Sequence, residues 1–307
     1  MSVGLITSPA CALHDMGEGH PERPARLDAI QDQLLASGMD FVLQHFDAPR
    51  ATRAQLELVH DPDYVESIFA RAPSEGTEIL DPDTSMCPDS LEAALRAAGA
   101  AVSAVDRVMA GEVQSAFCAV RPPGHHAERD RAMGFCLFNN IAIAAAHARH
   151  HHGLERVAIV DFDVHHGNGT EDFVRDEQGY LLCSSFQHPF YPFSGTGDLP
   201  PHIVNTPLEP GAGGAELRRA VEEQWLPALE AFRPQMLFIS AGFDGHIEDE
   251  MSQLRFVEED YRWVTDTVRQ LAERHAGGRI VSTLEGGYAL SALGRSVVAH
   301  LKGLMGG

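Results

Sequence analysis

The sequence predicts an α/β protein with a parallel sheet, and three observations lead to this fold class. Short apolar runs, such as VAIV at 157–160, recur along the chain. Segments with helical patterning lie between them, as is typical of parallel strands joined by helices. Polar residues cluster where the apolar runs end, and parallel sheets bind ligands beyond the carboxyl ends of their strands. No repeat or linker divides the 307 residues, so we expect one domain over 1–307.

The predicted elements follow one another in regular alternation. Apolar runs predict strands at 3–6, 115–120, 157–160, 180–184, 235–240 and 279–284. Helical patterning predicts helices at 90–109, 140–150, 214–232 and 258–275. The first helix is rich in alanine, and Ser90 is expected to cap its beginning. Because a helix separates most consecutive strands, we expect the strands to run parallel.

The composition excludes two classes of partner. Lys and Arg number 23 against 44 Asp and Glu, which gives a formal net charge of −21, whereas nucleic-acid binding requires a basic patch. The acidity is compatible with a cationic substrate, although it more often serves solubility. No apolar run approaches the roughly 18 residues of a membrane helix, and no secretory signal pattern is expected at the N-terminus.

The five cysteines form no CxxC pair, so we expect reduced thiols and a cytoplasmic protein.

Four predicted strands end in unusual concentrations of polar and charged residues. The segment RPPGHHAERDRAMGFCLFNN begins at 121, DFDVHHGNG at 161, AGFDGHIEDE at 241 and LEGGYAL at 284. Because the carboxyl ends of parallel strands meet at one edge of a sheet, we expect these segments to converge. Burying ionisable groups is costly unless they are paired or bind a metal. This edge is therefore the predicted functional site.

Asp163 and His165 predict half of a metal site. One residue separates them, so on an extended segment their side chains point the same way. A carboxylate and an imidazole suit Zn²⁺, and Asp244 can supply a third protein ligand from another strand. Three protein ligands leave one coordination position open, which is typical of catalytic zinc. The alternative is that these side chains cap turns; it would explain a single aspartate better than it explains the whole cluster.

The paired histidines predict proton transfer at the same edge. The letters PPG at 122–124 indicate a stiff turn that holds His125 and His126 together, and histidine transfers protons near neutral pH. Asp161 is the expected carboxylate that fixes the tautomer of a ring. Tyr288 follows two glycines and can reach an oxyanion in the site; an isolated tyrosine there would more often be packing. The tract HHH at 150–152 is expected to be a solvated helix end, and we assign it no function.

These residues together resemble the histone deacetylase family, which includes acetoin-utilisation proteins and acetylpolyamine amidohydrolases. The matching motifs, in the family's order, are HPERPARL, RPPGHHA, GFCLFNN, DFDVHHGNGT, SGTGD, SAGFD and LEGGY. They span nearly the whole chain, and AGFD and LEGGY look more like the class II branch, to which bacterial histone deacetylase-like amidohydrolases are similar. The resemblance implies a single-domain, three-layer α/β/α fold, arginase/deacetylase-like, around an eight-stranded parallel sheet.

The resemblance also implies a catalytic role for each matching residue. His126 would be the general base and acid, and His125 would be its electrostatic partner, oriented by Asp161. Tyr288 would polarise the scissile carbonyl. The implied ligands of one catalytic Zn²⁺ are Asp163, His165 and Asp244.

Further residues are implied in substrate and ion binding. Phe135 and Phe193 would form the walls of a channel for an aliphatic acyl-lysine-like chain, and the Gly134 carbonyl would accept the amide proton. Met251 would lie at the channel mouth, and Arg26 would line an internal cavity behind the metal. A structural K⁺ would be bound mostly by backbone oxygens of Asp161, Asp163, His165, Ser185 and Phe186.

Three positions depart from the family pattern. Asn168 stands where class I members carry Asp, so His126 would lack an anionic partner, as in class II. Ser194 replaces a frequent Pro before GTG, and Glu250 replaces the Pro of a common Asp-Pro pair. The last two lie near the expected channel mouth, so they bear on the substrate more than on catalysis.

The expected function is zinc-dependent deacylation of an acyl-lysine peptide or a small N-acyl amine. One alternative is an acetylpolyamine amidohydrolase, against which Met251 stands where polyamine-specific relatives place an acidic residue. Another is a catalytically silent zinc-binding module, which would require the loss of a site residue. A binuclear manganese hydrolase of the arginase type would need further Asp/His motifs. Homo-oligomerisation stays open.

Overall fold

The computed structural model of the protein describes residues 2–306. Eight strands form one sheet in the order β2-β1-β5-β10-β9-β6-β7-β8, and all neighbouring pairs are parallel. Two further strands, β3 and β4, form a separate antiparallel hairpin. The ten strands are β1 (Val3–Thr7), β2 (Gln44–Asp47), β3 (Glu78–Asp81), β4 (Thr84–Met86), β5 (Ser115–Cys118), β6 (Val157–Asp161), β7 (Tyr180–Gln187), β8 (Ile203–Leu208), β9 (Met236–Ala241) and β10 (Ile280–Leu284).

Helices connect the strands of the sheet. They are α1 (Ala25–Ser37), α2 (Arg53–Leu56), α3 (Pro62–Arg71), α4 (Ser90–Met109), α5 (Asn140–His152), α6 (Asn168–Val174), α7 (Gly214–Ala220), α8 (Leu226–Phe232), α9 (Glu258–His275) and α10 (Leu290–Met305). Short 3₁₀ turns occupy Pro9–Ala12 and Met39–Phe41. A π-helical turn, Val221–Trp225, joins α7 to α8, so the helix expected over 214–232 is continuous but locally widened.

Two apolar clusters hold helices against the two faces of the sheet. On one face, α4 and α5 present mostly alanine, as at Ala97 and Ala144, and these small side chains let both helices lie close to the strands. On the other face, α1, α9 and α10 contribute larger side chains such as Ile30, Val264 and Val297. The result is a helix–sheet–helix arrangement of three layers, which confirms the predicted fold class.

All six predicted strands are present, and the two sheet strands that the pattern did not predict, β2 and β8, are the edges of the sheet. An edge strand is covered on fewer sides, so it does not need a continuous apolar run. Three of the four residues of β2 are exposed, and β8 contains the exposed Pro207. The expected cap of α4 is corrected: Ser90 is the first helical residue, and its hydroxyl accepts a hydrogen bond from the Cys87 N–H at 2.8 Å.

The sheet order explains why the polar motifs meet. The four strands that precede those motifs, β5, β10, β9 and β6, are consecutive neighbours in the sheet. Their carboxyl ends therefore form one continuous edge, where the connecting loops converge. Among residues 2–306, no helix combines the length and the apolar character needed to cross a membrane.

Candidate active site

Three buried side chains form a compact cluster of metal-ligand atoms. Asp163 and His165 follow β6, Asp244 follows β9, and one ligand atom of each lies within 4.8 Å of the others. The His165 Nδ1 atom is 3.0 Å from Asp163 Oδ1 and 3.3 Å from Asp244 Oδ2. The structure thus brings together all three residues of the predicted metal site.

The electrostatics of this cluster favour a bound cation. Burial, followed by the negative charge of Asp163, raises the pKa of Asp244 to about 6. The Asp244 Oδ2 atom is also buried without a hydrogen-bond partner. A buried carboxylate oxygen with no donor is costly unless a cation binds it. Two carboxylates and one imidazole are a suitable donor set for Zn²⁺ that leaves a coordination position open.

The two paired histidines are each held by a hydrogen bond. The His125 Nδ1 lies 2.9 Å from Asp161 Oδ2, and the His126 Nδ1 lies 2.8 Å from Asn168 Oδ1. An N–H at each Nδ1 donates to the facing oxygen, so Nε2 is the other, free nitrogen of each ring. Both rings are buried, and their centroids are 4.1 Å apart. The geometry therefore fixes the orientation of two adjacent imidazole rings.

The partners of the two rings give them different proton affinities. Burial opposes a charge on His125, but the carboxylates of Asp161 and Asp163 outweigh burial and raise the pKa of His125 to about 10. For His126, burial and the adjacent His125 cation both hold the pKa well below its ordinary value. Because Asn168 is neutral, it orients His126 without adding a negative charge. One ring is thus cationic and the other neutral.

Glu285 was not predicted as a site residue. Its carboxylate accepts hydrogen bonds from the turn that carries His125 and His126. Its Oε2 accepts the backbone N–H groups of Gly124 and His125 at 2.7 and 3.1 Å, and its Oε1 accepts the Ser240 hydroxyl at 3.0 Å. The carboxylate is fully buried, and burial raises its pKa to about 7. Its position directly after a buried strand, in LEGGY, was the signal that could have identified it.

A cavity of about 240 Å³ opens above these groups. Its walls include Gly134, whose backbone approaches the His126 ring so closely that an added Cβ would lie 2.3 Å from the ring. Gly134 also has a φ of +57°, which an L side chain adopts only with strain. The full set of lining residues is Asp83, Pro123, His125, His126, Gly134, Phe135, His165, Phe190, Tyr191, Met251, Gly286 and Tyr288.

Tyr288 reaches this cavity from the glycine turn after β10. Its backbone N–H donates to Asp249 Oδ2 at 2.6 Å, and the Arg26 guanidinium lies 5.0 Å from the centre of its ring. Burial, followed by the negative charge of Asp244, holds the pKa of the phenol well above its ordinary value. The phenol therefore keeps its proton, so its hydroxyl can donate a hydrogen bond.

The residues expected to form the channel wall are not all at the cavity. Phe135 lines it, and its ring meets the Tyr288 ring edge-on at a centroid distance of 6.0 Å. Phe193 is 74% exposed and is not among the described residues that line the cavity. Phe190 and Tyr191 stand there instead. They precede Phe193 in the loop after β7, so the motif indicated the right loop but not the side chains that turn inward.

The residues expected around a potassium ion are all buried. The backbone of 161–165 runs past the end of β7, where Ser185 and Phe186 are buried. The Ser185 hydroxyl has no hydrogen-bond partner there. A buried hydroxyl without a partner can act as an oxygen ligand, the type that hard cations prefer.

Arg26 lies in a buried ion network next to the tyrosine turn. Its Nε donates to the Gly287 carbonyl at 2.7 Å, and its Nη1 is 3.1 Å from Glu22 Oε1. The second partner of Glu22 is Arg121, whose Nη2 donates to Oε2 at 2.7 Å. Arg26 therefore anchors the turn that carries Tyr288. Glu22 and Arg121, both buried and charged, were not predicted.

The fold is of the α/β class, and the arrangement of the site indicates a hydrolytic enzyme. Residues 20–304 match the histone deacetylase domain. A histone deacetylase-like amidohydrolase of Pseudomonas aeruginosa is 39% identical over 311 residues, which cover 98% of this chain and 80% of that protein. The polyamine deacetylase HDAC10 of Homo sapiens is 38% identical over 312 residues, covering 96% of this chain and 46% of that protein.

A solved structure agrees with these sequence relatives. The crystal structure of the HDA15 HD domain matches with a TM-score of 0.94 and 33% identity, covering 99% of this chain and 88% of that one. The chain belongs to the histone deacetylase family. It is an enzyme of the deacetylase and amidohydrolase type, as the resemblance of its motifs predicted.

Proposed function

We propose that this protein is a zinc-dependent amidohydrolase that removes an acyl group, such as acetyl, from an ε-N-acyl-lysine or a similar N-acyl amine. One observation carries the proposal. A fixed histidine pair and a protonated phenol line a single cavity, and His165, which also lines it, belongs to a cluster of three metal-ligand residues. A silent binding module would not require all of these groups. We also infer that 1–307 acts as one catalytic domain, since the sheet draws strands from most of the chain.

Asp163, His165 and Asp244 would hold the zinc ion, since their ligand atoms already lie together and Asp244 Oδ2 has no other partner. When bound, Zn²⁺ supplies Lewis acidity toward a carbonyl oxygen and lowers the pKa of water. Gly286 helps to fix the cluster, because its N–H donates to Asp163 Oδ2 at 2.8 Å. The ligands are thus held before any metal binds.

His126 would take the proton from the attacking water and return it to the departing amine. Its Nδ1 is engaged by Asn168, so Nε2 is the nitrogen that can accept a proton. His125, held by Asp161, would contribute positive charge beside the reacting atoms. Tyr288 would donate its hydroxyl to the oxyanion that forms when water adds to the carbonyl.

The cavity favours an extended aliphatic chain as the substrate arm. Phe135, Phe190 and Tyr191 present aromatic surface to it, and burial of each methylene contributes roughly 0.8 kcal/mol. The Gly134 carbonyl would accept the amide N–H of the substrate. Met251 gives the mouth an apolar, adaptable side chain, which favours a neutral continuation such as a peptide over a second ammonium group.

An acetylpolyamine amidohydrolase is the second candidate, and one side chain favours it. Asp83 lines the cavity and places a carboxylate beside the substrate arm. Its Oδ1 accepts the Gly134 N–H at 3.0 Å, so part of its charge is already engaged. Among the relatives, polyamine deacetylases are present. We favour acyl-lysine because Met251 supplies no anion at the mouth.

A substrate panel tests this choice. The wild-type enzyme should show a higher kcat/KM for acetyl-lysine peptides than for acetylspermidine or acetylputrescine. Met251→Glu should raise kcat/KM for the polyamines about two- to fivefold, the size of a partly exposed ion pair, and Met251→Gln should not. A tenfold wild-type preference for acetylpolyamines would transfer the proposal to the second candidate.

We further infer a structural potassium ion and a cytoplasmic location. A structural K⁺ would be held by the backbone at 161–165 together with Ser185 and Phe186, supported by the unpartnered Ser185 hydroxyl. A cytoplasmic location is supported by the five free cysteines. Dialysis against potassium-free buffer should lower the Tm of the enzyme, and re-addition of K⁺ should restore it.

A further inference from the structure

The structure gathers a second group of potential metal ligands far from the cavity. His147, His151 and His152 lie at the end of α5 and face Asp106 of α4. One ligand atom from each of the four lies within 4.8 Å of the others. The sequence predicted a solvated helix end at 150–152. Gly153 does end the helix with a φ of +69°, but two of the three tract histidines belong to this cluster.

We propose that Asp106, His147, His151 and His152 form a second metal site, which binds a late first-row divalent cation such as Zn²⁺. Three imidazoles and one carboxylate are borderline ligands, which suit Zn²⁺, Ni²⁺ or Cu²⁺ better than Mg²⁺ or Ca²⁺. His147 and His151 are four residues apart on a helix, so both rings project from one face. Asp106 comes from the neighbouring helix and closes the group.

The hydrogen bonds of the cluster converge on one atom. The Nε2 atoms of His147 and His152 lie 2.8 and 2.7 Å from the same Asp106 Oδ1. The His151 ring is stacked on the His147 ring at a centroid distance of 4.9 Å and meets the His152 ring edge-on at 5.0 Å. The four side chains are thus already positioned around a common centre, and a metal ion would replace the two shared protons.

The surroundings leave Asp106 available to a metal. In the described part of the chain, its ion-pair partners are His147 and His152 alone. The neighbouring Arg107 pairs with Glu112 and lies over the Phe46 ring. Arg149 lies over the Tyr180 ring. Among residues 2–306, no arginine pairs with the carboxylate, whereas the buried His147 is positioned against it.

The second site lies apart from the catalytic histidines. The turn that carries His125 and His126 contacts the beginning of α5, where the Asn140 side chain donates to the Pro122 carbonyl at 3.1 Å. The cluster histidines at 147–152 lie in the second half of this 13-residue helix, about 10 to 18 Å from Asn140 at 1.5 Å per residue. A metal there would link α4 to α5 and stabilise the layer that covers one face of the sheet.

Metal counting in a background without the catalytic ligands tests the proposal. Asp244→Ala removes a ligand of the candidate catalytic zinc, so the metal that remains bound after dialysis against micromolar Zn²⁺ reports on the second site. We expect about one equivalent in Asp244→Ala. Asp244→Ala with His151→Ala should lose it. Asp244→Ala with His150→Ala should keep it, because the exposed His150 belongs to the same tract but not to the cluster.

A spectroscopic readout covers the case in which the double variant folds poorly. Cu²⁺ added to the wild-type protein, preloaded with one equivalent of Zn²⁺, should give an electron paramagnetic resonance spectrum with coupling to several imidazole nitrogens. That coupling should weaken in His151→Ala and persist in His150→Ala. Equal metal content and equal spectra in the His150 and His151 variants would overturn the second site. The catalytic proposal would be untouched, since it rests on other residues.

Discussion

The histidine pair at the edge of the sheet and the histidine cluster at the end of α5 place the same kind of side chain in two different settings. At the sheet edge, each ring of the pair has its own partner, Asp161 for His125 and Asn168 for His126. At the helix end, two rings share one oxygen of Asp106. The first arrangement distinguishes the two rings chemically, whereas the second makes its rings equivalent ligands.

The hydrogen-bond and ion-pair partners of a histidine therefore determine its chemistry more than its burial does. His147 is almost as buried as His126, but it faces imidazoles and a half-exposed carboxylate. It is not among the described residues that line the candidate active site. His126 lies in a cavity with a protonated phenol and a carboxylate cluster nearby. We therefore assign proton transfer to one group and metal binding without catalysis to the other.

Replacing His126 should have the largest effect on catalysis, because it removes the group assigned to proton transfer. His126→Ala removes the only free imidazole nitrogen assigned to proton transfer, so kcat should fall about 10²- to 10⁴-fold, the usual contribution of a general base. Steady-state kinetics measure this, with zinc content measured on the same sample. The zinc should stay bound, since His126 is not a ligand. Turnover close to wild type would remove His126 from its assigned role.

Replacing Tyr288 should have the next largest effect. Tyr288→Phe keeps the ring that packs against Phe135 and Arg26 but deletes the hydroxyl. Loss of one oxyanion donor lowers kcat about 10²- to 10³-fold. The loss should fall on kcat rather than on KM, because the hydroxyl acts after the carbonyl has been attacked. A variant with raised KM and unchanged kcat would instead indicate a role in substrate binding.

Replacing His150 should have the smallest effect and sharpens the contrast within one tract. The side chain is exposed and lies in neither cluster. His150→Ala should therefore change kcat/KM less than about twofold and leave the free energy of unfolding within roughly 0.5 kcal/mol, as for other surface substitutions. Kinetics and denaturant unfolding check both values. A marked loss of activity would show that the helix end is coupled to the cavity.

Much of the fold could be predicted because the central strands are buried on both faces. Runs such as MLFIS must be almost wholly apolar, so their pattern is visible in the sequence. The edge strand QHFD has no such requirement, and it was missed. Helix α4 was predicted with its observed bounds, whereas α1 mixes acidic and apolar residues with a weak pattern and was not predicted.

The candidate site was predictable where its residues follow strands directly. Asp163, His165, Asp244 and Tyr288 all lie within a few residues of a strand end, so the order of the sheet brings them together. Phe190 and Tyr191 reach the cavity from the long loop after β7, and Asp83 reaches it from the tight turn of the separate β3–β4 hairpin, so both placements depend on tertiary packing. For the same reason, Phe193 could not be distinguished from Phe190 by sequence. The α4–α5 cluster joins residues 41 or more positions apart across two helices, and only their packing shows it.

Return of zinc to the chelated wild-type protein tests the central claim most directly. Hydrolysis of an acetyl-lysine peptide should disappear on chelation and rise with added Zn²⁺. It should reach its plateau at no more than about two equivalents per chain, because one ion binds at Asp163, His165 and Asp244 and a second binds at the α5 cluster. Asp244→Ala treated in the same way should recover no activity, although it still binds metal at the α5 cluster. Full hydrolysis by wild-type protein with no measurable metal would contradict the account.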